Sequence, residues 1–127
     1  MSLNVLIVDD SGVMRKMIRQ ALDRSGLAVA GIHEAANGWE ALELLERERV
    51  DVALLDLHMP VMSGEEFYDA VRSSARHADL PVVFVSSESS AGRIAHLMEK
   101  GAGFVHKPWS AEDLRAQIES VTEPRRG

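Results

Sequence analysis

Five side chains in this sequence sit where chemistry between them is feasible. Asp9 and Asp10 follow Val5-Leu6-Ile7-Val8, and Asp56 follows Val52-Ala53-Leu54-Leu55. Ser86 follows Val82-Val83-Phe84-Val85, and Lys107 follows Gly103-Phe104-Val105-His106. Short apolar runs of this kind suit strands buried on both faces. Their C-terminal ends surface at the edge where open parallel sheets bind ligands. Three carboxylates gathered at one edge repel each other unless a cation sits among them. Ligation by oxygen alone favours a hard ion, Mg²⁺ or Ca²⁺, over zinc or copper, and Mg²⁺ keeps places for water and phosphate oxygens. Lys107 adds a compact positive charge for a phosphoryl oxygen, and Ser86 adds a hydrogen bond. One of the carboxylates then acts as a nucleophile and forms an acyl phosphate. The set points to phosphate chemistry on a hard metal ion.

Helices must connect these runs. Val13, Met14, Met17, Ile18, Ala21 and Leu22 recur at helical steps, and that stripe is expected to pack in the core. Asn37 is placed to cap a second helix with Ala41, Leu42 and Leu45 inside, and Trp39 is expected to cover its base. Ser63-Gly64-Glu65-Glu66 matches a capping box opening a third helix through Phe67, Ala70 and Val71. Ser89 or Ser90 opens a fourth with Ile94, Leu97 and Met98, and Ser110 a fifth with Leu114, Ile118 and Val121. The second strand, around Ala28 to Glu34, carries the weakest pattern. Strand and helix thus alternate five times, which implies an α/β fold: parallel strands, right-handed crossovers and helices on both faces of a doubly wound sheet.

Composition narrows the class. At 127 residues, with 46% hydrophobic and 27% charged residues, the chain is sized for one soluble domain. That domain is expected over residues 1–121, with 122–127 a tail or a truncated linker. The absence of cysteine removes disulfides and thiolate chemistry. No apolar stretch approaches the roughly 18 residues of a membrane span, and the first run lacks the basic leader of a signal peptide; a cytoplasmic location is expected. A formal charge of -6 argues against nonspecific nucleic-acid binding. His33, His77, His96 and His106 share no metal-ligand spacing and are expected at the surface. Trp109, beside Lys107-Pro108, reads equally as a packing residue or a partner contact.

The chain resembles the receiver domain of two-component response regulators, close to the single-domain chemotaxis type. The resemblance runs from Asn4 to about Val121. Asp56-Leu57-His58-Met59-Pro60-Val61-Met62-Ser63-Gly64-Glu65 is similar to the family's phosphoacceptor loop. Asp9-Asp10-Ser11 is similar to its acidic pair, Ser86-Ser87-Glu88 to its switch hydroxyl segment, and Lys107-Pro108 to its lysine followed by a frequently cis peptide. The resemblance implies the flavodoxin-like strand order 2-1-3-4-5; receiver proteins are themselves a standard illustration of that order, so it is inferred from likeness alone. It implies that Asp56 accepts phosphate from a histidine kinase, a phosphotransfer protein or a small phosphodonor. Asp10 and Asp56 would ligate Mg²⁺ directly, Asp9 through water, and the backbone carbonyl of His58 would complete the protein ligands. Ser86 and Lys107 would contact the phosphoryl group, and Phe104 stands at the family's rotating aromatic switch. The output would be a surface of the fourth helix, fifth strand and fifth helix offered to a downstream protein, in a monomer or a weak phosphorylation-dependent dimer.

Two other classes compete with a phospho-switch. An aspartate-nucleophile phosphohydrolase of the haloacid dehalogenase type carries Asp-x-Asp at strand one, whereas Asp9-Asp10-Ser11-Gly12 has adjacent acids. A flavodoxin-like FMN binder needs a neutral Ser/Thr/Gly-rich first loop, and two acids there would repel the cofactor phosphate. The switch, a signalling receiver and not a dedicated enzyme, fits best.

Overall fold

Along the chain, strands and helices alternate as β1 (Leu3–Val8), α1 (Gly12–Ser25), β2 (Val29–Ala35), α2 (Gly38–Arg47), β3 (Val52–Leu55), α3 (Gly64–Arg72), β4 (Val82–Ser86), α4 (Ala91–Glu99), β5 (Gly103–His106) and α5 (Ala111–Thr122). These elements come from a computed structural model that describes residues 2–123. Every strand pair is parallel, and the sheet order is β2-β1-β3-β4-β5. This is the doubly wound, flavodoxin-like arrangement expected from the sequence.

Two apolar cores lie on the two faces of the sheet, because successive strand residues point to opposite sides. Leu6, Val8, Leu55 and Phe84 join Phe67, Tyr68 and Leu97 on one face. Val5, Ile7, Leu54 and Val83 join Ile18, Leu22, Leu114 and Ile118 on the other. All residues of β3 and β4 are buried, which is why their sequences are continuous apolar runs. β2 is an edge strand with one fully buried residue, Ala35, and its weak pattern follows from that position.

Polar side chains cap the N-termini of all five helices. Ser11, Asn37, Ser63, Ser90 and Ser110 accept from the backbone N–H groups of Met14, Glu40, Glu66, Arg93 and Asp113. The Ser63 cap is the expected reciprocal box, with Glu66 accepting from the Ser63 N–H at 2.9 Å. Each cap supplies an acceptor for an otherwise unpaired first-turn donor, so each helix starts at a defined residue just past the sheet edge.

Several packing expectations are corrected. On α1 the buried stripe is Ile18, Ala21, Leu22 and Ser25. Val13 is 70% and Met17 47% exposed, and Met14 is half-buried. Met14 and Met17 face the β5–α5 connection and border an open groove with Pro108 and Trp109. Helical periodicity defines a face, but nothing in it says whether another element covers the whole face. Trp39, in the first turn of α2, is 56% exposed and does not cover the base of that helix. Met98, expected inside α4, is also exposed, leaving Leu97 as that helix's buried anchor. Among the histidines expected at the surface, His33 and His77 are half-buried, the latter with its Nε2 covered. Tyr68 stands outside the apolar stripe expected for α3, yet it is buried, with its ring 5.8 Å from that of Phe84 and its hydroxyl donating to the Lys100 carbonyl. α5 includes Thr122, whose hydroxyl donates to the Ile118 carbonyl. Residues 124–127 of the expected tail lie outside the described residues.

Candidate functional site

Parallel pairing sets the strand ends side by side and brings the expected acids together. The Asp9 N–H donates to the Ala35 carbonyl at 3.1 Å, and the Asp56 N–H to the Val8 carbonyl at 2.9 Å. One carboxylate oxygen from each of Asp9, Asp10 and Asp56 lies within 4.8 Å of the others. Lys107 reaches the cluster from β5, its Nζ 3.6 Å from Asp9 Oδ2 and 3.7 Å from Asp56 Oδ1. The Lys107 N–H donates to the Ser86 carbonyl at 2.8 Å, tying the ends of β4 and β5 together. The Lys107-Pro108 peptide is cis.

Burial makes this arrangement electrostatically costly. Asp9 is only 2% exposed; its Oδ1 accepts from the Ser11 N–H at 2.9 Å, while its buried Oδ2 accepts no hydrogen bond among the described residues. Asp10, by contrast, is exposed. The Asp56 carboxyl is pushed above its usual range, chiefly by burial and further by Asp9 and Asp10; Lys107 and the His58 N–H oppose the shift. One ammonium against three carboxylates leaves the cluster short of positive charge. A buried carboxylate oxygen that accepts no hydrogen bond, beside two further acids that share one ammonium, suits a hard divalent cation.

The loop after β3 sets the outer wall. Val61 adopts φ +72°, and the Met62 N–H donates to the Pro60 carbonyl at 2.8 Å, closing a three-residue turn of a strained type. α3 then begins directly against the strand: the Gly64 N–H donates to the Leu57 carbonyl at 2.9 Å. A Cβ on Gly64 would lie 2.3 Å from the Asp56 carbonyl oxygen, so glycine is required at that position. The His58 side chain is exposed, its Nε2 3.4 Å from Glu88 Oε1.

Ser86 is fully buried at the end of β4, and its Oγ accepts from the Glu88 N–H at 3.1 Å. Phe104 is half-buried on β5 against the core that contains Phe84, with its N–H donating to Gln117 Oε1. Trp109 is half-buried against the opposite core. Neither aromatic ring belongs to the acidic cluster. Sequence reasoning missed two charged neighbours of the site. Glu88 bridges His58 and Arg93, and its carboxyl is held below the usual range first by the Ser90 N–H. Arg15 donates to the Asp9 carbonyl at 2.7 Å. Side chain-to-backbone contacts of this kind leave no mark in residue spacing.

Residues 5–119 match the family model described as the response regulator receiver domain. The chain belongs to this family. It is 34% identical to the chemotaxis protein CheY of Pseudomonas aeruginosa, over 95% of this chain and 97% of that protein. The solved structure of the chemotaxis response regulator CheY4 of Vibrio cholerae superposes with a TM-score of 0.81, at 34% identity, covering 95% of this chain and 99% of that one. It is also 43% identical to the protein-glutamate methylesterase/protein-glutamine glutaminase of Treponema pallidum, where 91% of this chain spans 29% of the relative's length. The protein is therefore a CheY-like receiver domain of two-component signalling. No helix among the described residues is long and apolar enough to cross a membrane.

Proposed function

We propose that Asp56 of this receiver accepts a phosphoryl group from a histidine kinase, a phosphotransfer protein or a small phosphodonor. One observation carries the reading: three acids lie within 4.8 Å of one another, two of them buried, and the single ammonium of Lys107 is 3.6–3.7 Å from Asp9 and Asp56. Asp10, Asp56 and the His58 carbonyl would hold Mg²⁺, with Asp9 acting through water. Bound there, the ion offsets negative charge on the acids and on phosphoryl oxygens. In the transfer, an Asp56 carboxylate oxygen bonds to phosphorus as the donor's P–N or P–O bond breaks, and the leaving group departs with the electron pair. Lys107 supplies a point charge to the phosphoryl oxygens, and Ser86 a hydrogen bond.

The acyl phosphate would bias a pre-existing equilibrium in which Ser86 and Phe104 reposition together. The altered surface is that of α4, β5 and α5, with Trp109 at its border, offered to a downstream protein in the cytoplasm by a monomer or a weak phosphorylation-dependent dimer. Incubation with acetyl phosphate and Mg²⁺, followed by intact-mass measurement, tests the assignment. The expected result is a single phosphoryl adduct that Asp56→Asn abolishes. An undiminished adduct in that variant places the acceptor elsewhere.

A further inference from the structure

Arg15 lies in the first turn of α1 and holds the acidic loop from outside the cluster. Its Nη1 donates to the Asp9 carbonyl at 2.7 Å, and its Nε donates to Glu34 Oε1 at 2.8 Å. Glu34 sits one residue before the end of β2, and its other oxygen accepts from Arg19 at 3.2 Å. The Arg15 side chain is mostly covered. The carbonyl it holds belongs to the peptide joining Asp9 to Asp10. Fixing that peptide plane fixes the direction in which Asp10, otherwise exposed, leaves the backbone relative to buried Asp9.

A bare guanidinium held on the peptide between two of the acids would compete with a metal ion for the cluster. Glu34 removes that conflict by pairing with the guanidinium on the side away from the carbonyl. We infer that Arg15 is a positioning residue for the divalent-cation site, orienting the Asp9–Asp10 peptide, and that Glu34 neutralises it so that it orients without repelling. This inference rests on the metal reading of the acidic cluster proposed above. Charge and geometry predict opposite signs for the loss of Arg15. Removing a nearby positive charge alone would tighten Mg²⁺ binding, whereas losing the orientation of Asp10 would weaken it.

The test is calorimetric or NMR titration of the full chain with MgCl₂ alone, at low and at high salt, with urea unfolding measured on each variant. Saturable binding by the parent is the first readout, and its absence overturns the metal reading and this inference together. With the parent binding, Arg15→Met is expected to raise the Mg²⁺ Kd about tenfold, the scale of an outer-shell partner's loss, and to do so at both salt concentrations. Glu34→Gln keeps an acceptor for Arg15 but uncovers its charge. It is expected to raise Kd about threefold at low salt and to match the parent at high salt, where the charge is screened. Arg15→Lys keeps the charge with a simpler donor, and an intermediate loss is expected; it also serves if the Met variant folds poorly. An unchanged or tighter Kd in folded Arg15→Met and Arg15→Lys overturns the inference, as does lowered urea stability without a change in Kd.

Discussion

Replacing Asp56 by Asn should stabilise this protein in the absence of divalent metal. The substitution keeps the shape of the side chain and deletes one charge. Lys107 Nζ lies 3.7 Å from Asp56 Oδ1, an attraction of about 4.5 kcal/mol at an effective dielectric of about 20. The Asp9 oxygen lies no farther than 4.8 Å, a repulsion of at least about 3.5 kcal/mol on the same scale. Those two interactions nearly cancel, and exposed Asp10 adds a smaller, screened repulsion. What remains is the cost of burying the carboxylate, the largest cause of its raised pKa. The net gain for Asp56→Asn is about 1–2 kcal/mol near neutral pH, since Lys107 keeps Asp9 as a partner at 3.6 Å. The pH dependence has a definite sign. The folded state holds the Asp56 proton to higher pH than the unfolded chain does, so the parent loses stability as pH rises from the unfolded pKa through the folded one. The advantage of Asn should therefore be full above that window and vanish below the unfolded carboxylate pKa of about 3.9. Urea unfolding in EDTA across this range measures it. Adding Mg²⁺ at about ten times its Kd should then return about 1.4 kcal/mol to the parent and little to the variant. An Asn variant less stable than the parent in EDTA near neutral pH, or a gain that persists in acid, would refute the reasoning.

Three further outcomes are expected. Asp10→Ala should weaken Mg²⁺ binding about tenfold or more in a direct titration while changing stability in EDTA by at most about 1 kcal/mol upward, because Asp10 is exposed. Val61→Asn should raise stability by about 0.5–1 kcal/mol in urea unfolding, since Val61 is 80% exposed with little packing to lose and Asn tolerates φ +72° better than a β-branched side chain. Gly64→Ala should cost about 2–4 kcal/mol and lower the yield of phosphorylation by acetyl phosphate, because its methyl would collide with the Asp56 backbone; unchanged unfolding would show that the α3 start yields easily.

The sheet and its site were legible to the extent that they depend on burial along the chain. β1, β3 and β4 are covered on both faces, so each appears as an apolar run, and the residue ending each run necessarily emerges at the C-terminal edge. Parallel pairing then gathers Asp9, Asp10, Asp56, Ser86 and Lys107 at that edge without any further specification. The starts of α2, α3, α4 and α5 were legible for a similar local reason, since each cap bonds to a backbone N–H three residues on.

Elsewhere the outcome depended on which connections meet in space. Arg15 and Glu34 are 19 residues apart and pair only because β2 lies beside β1; His58 and Glu88 meet only because the β3–α3 and β4–α4 loops share the mouth of the site. Val13 and Met17 carry the periodicity of core residues yet stay exposed, Met17 at the border of an open groove, because no element among the described residues extends over that end of α1. By itself, the sequence determined the alternation of elements, the residues that end each strand and hence the membership of the acidic site. The tertiary structure alone decided which acids are buried and which is exposed, which cation holds the Asp9 carbonyl and which apolar residues stay uncovered. These depend on side-chain contacts between distant segments, and packing sets those contacts where local periodicity does not.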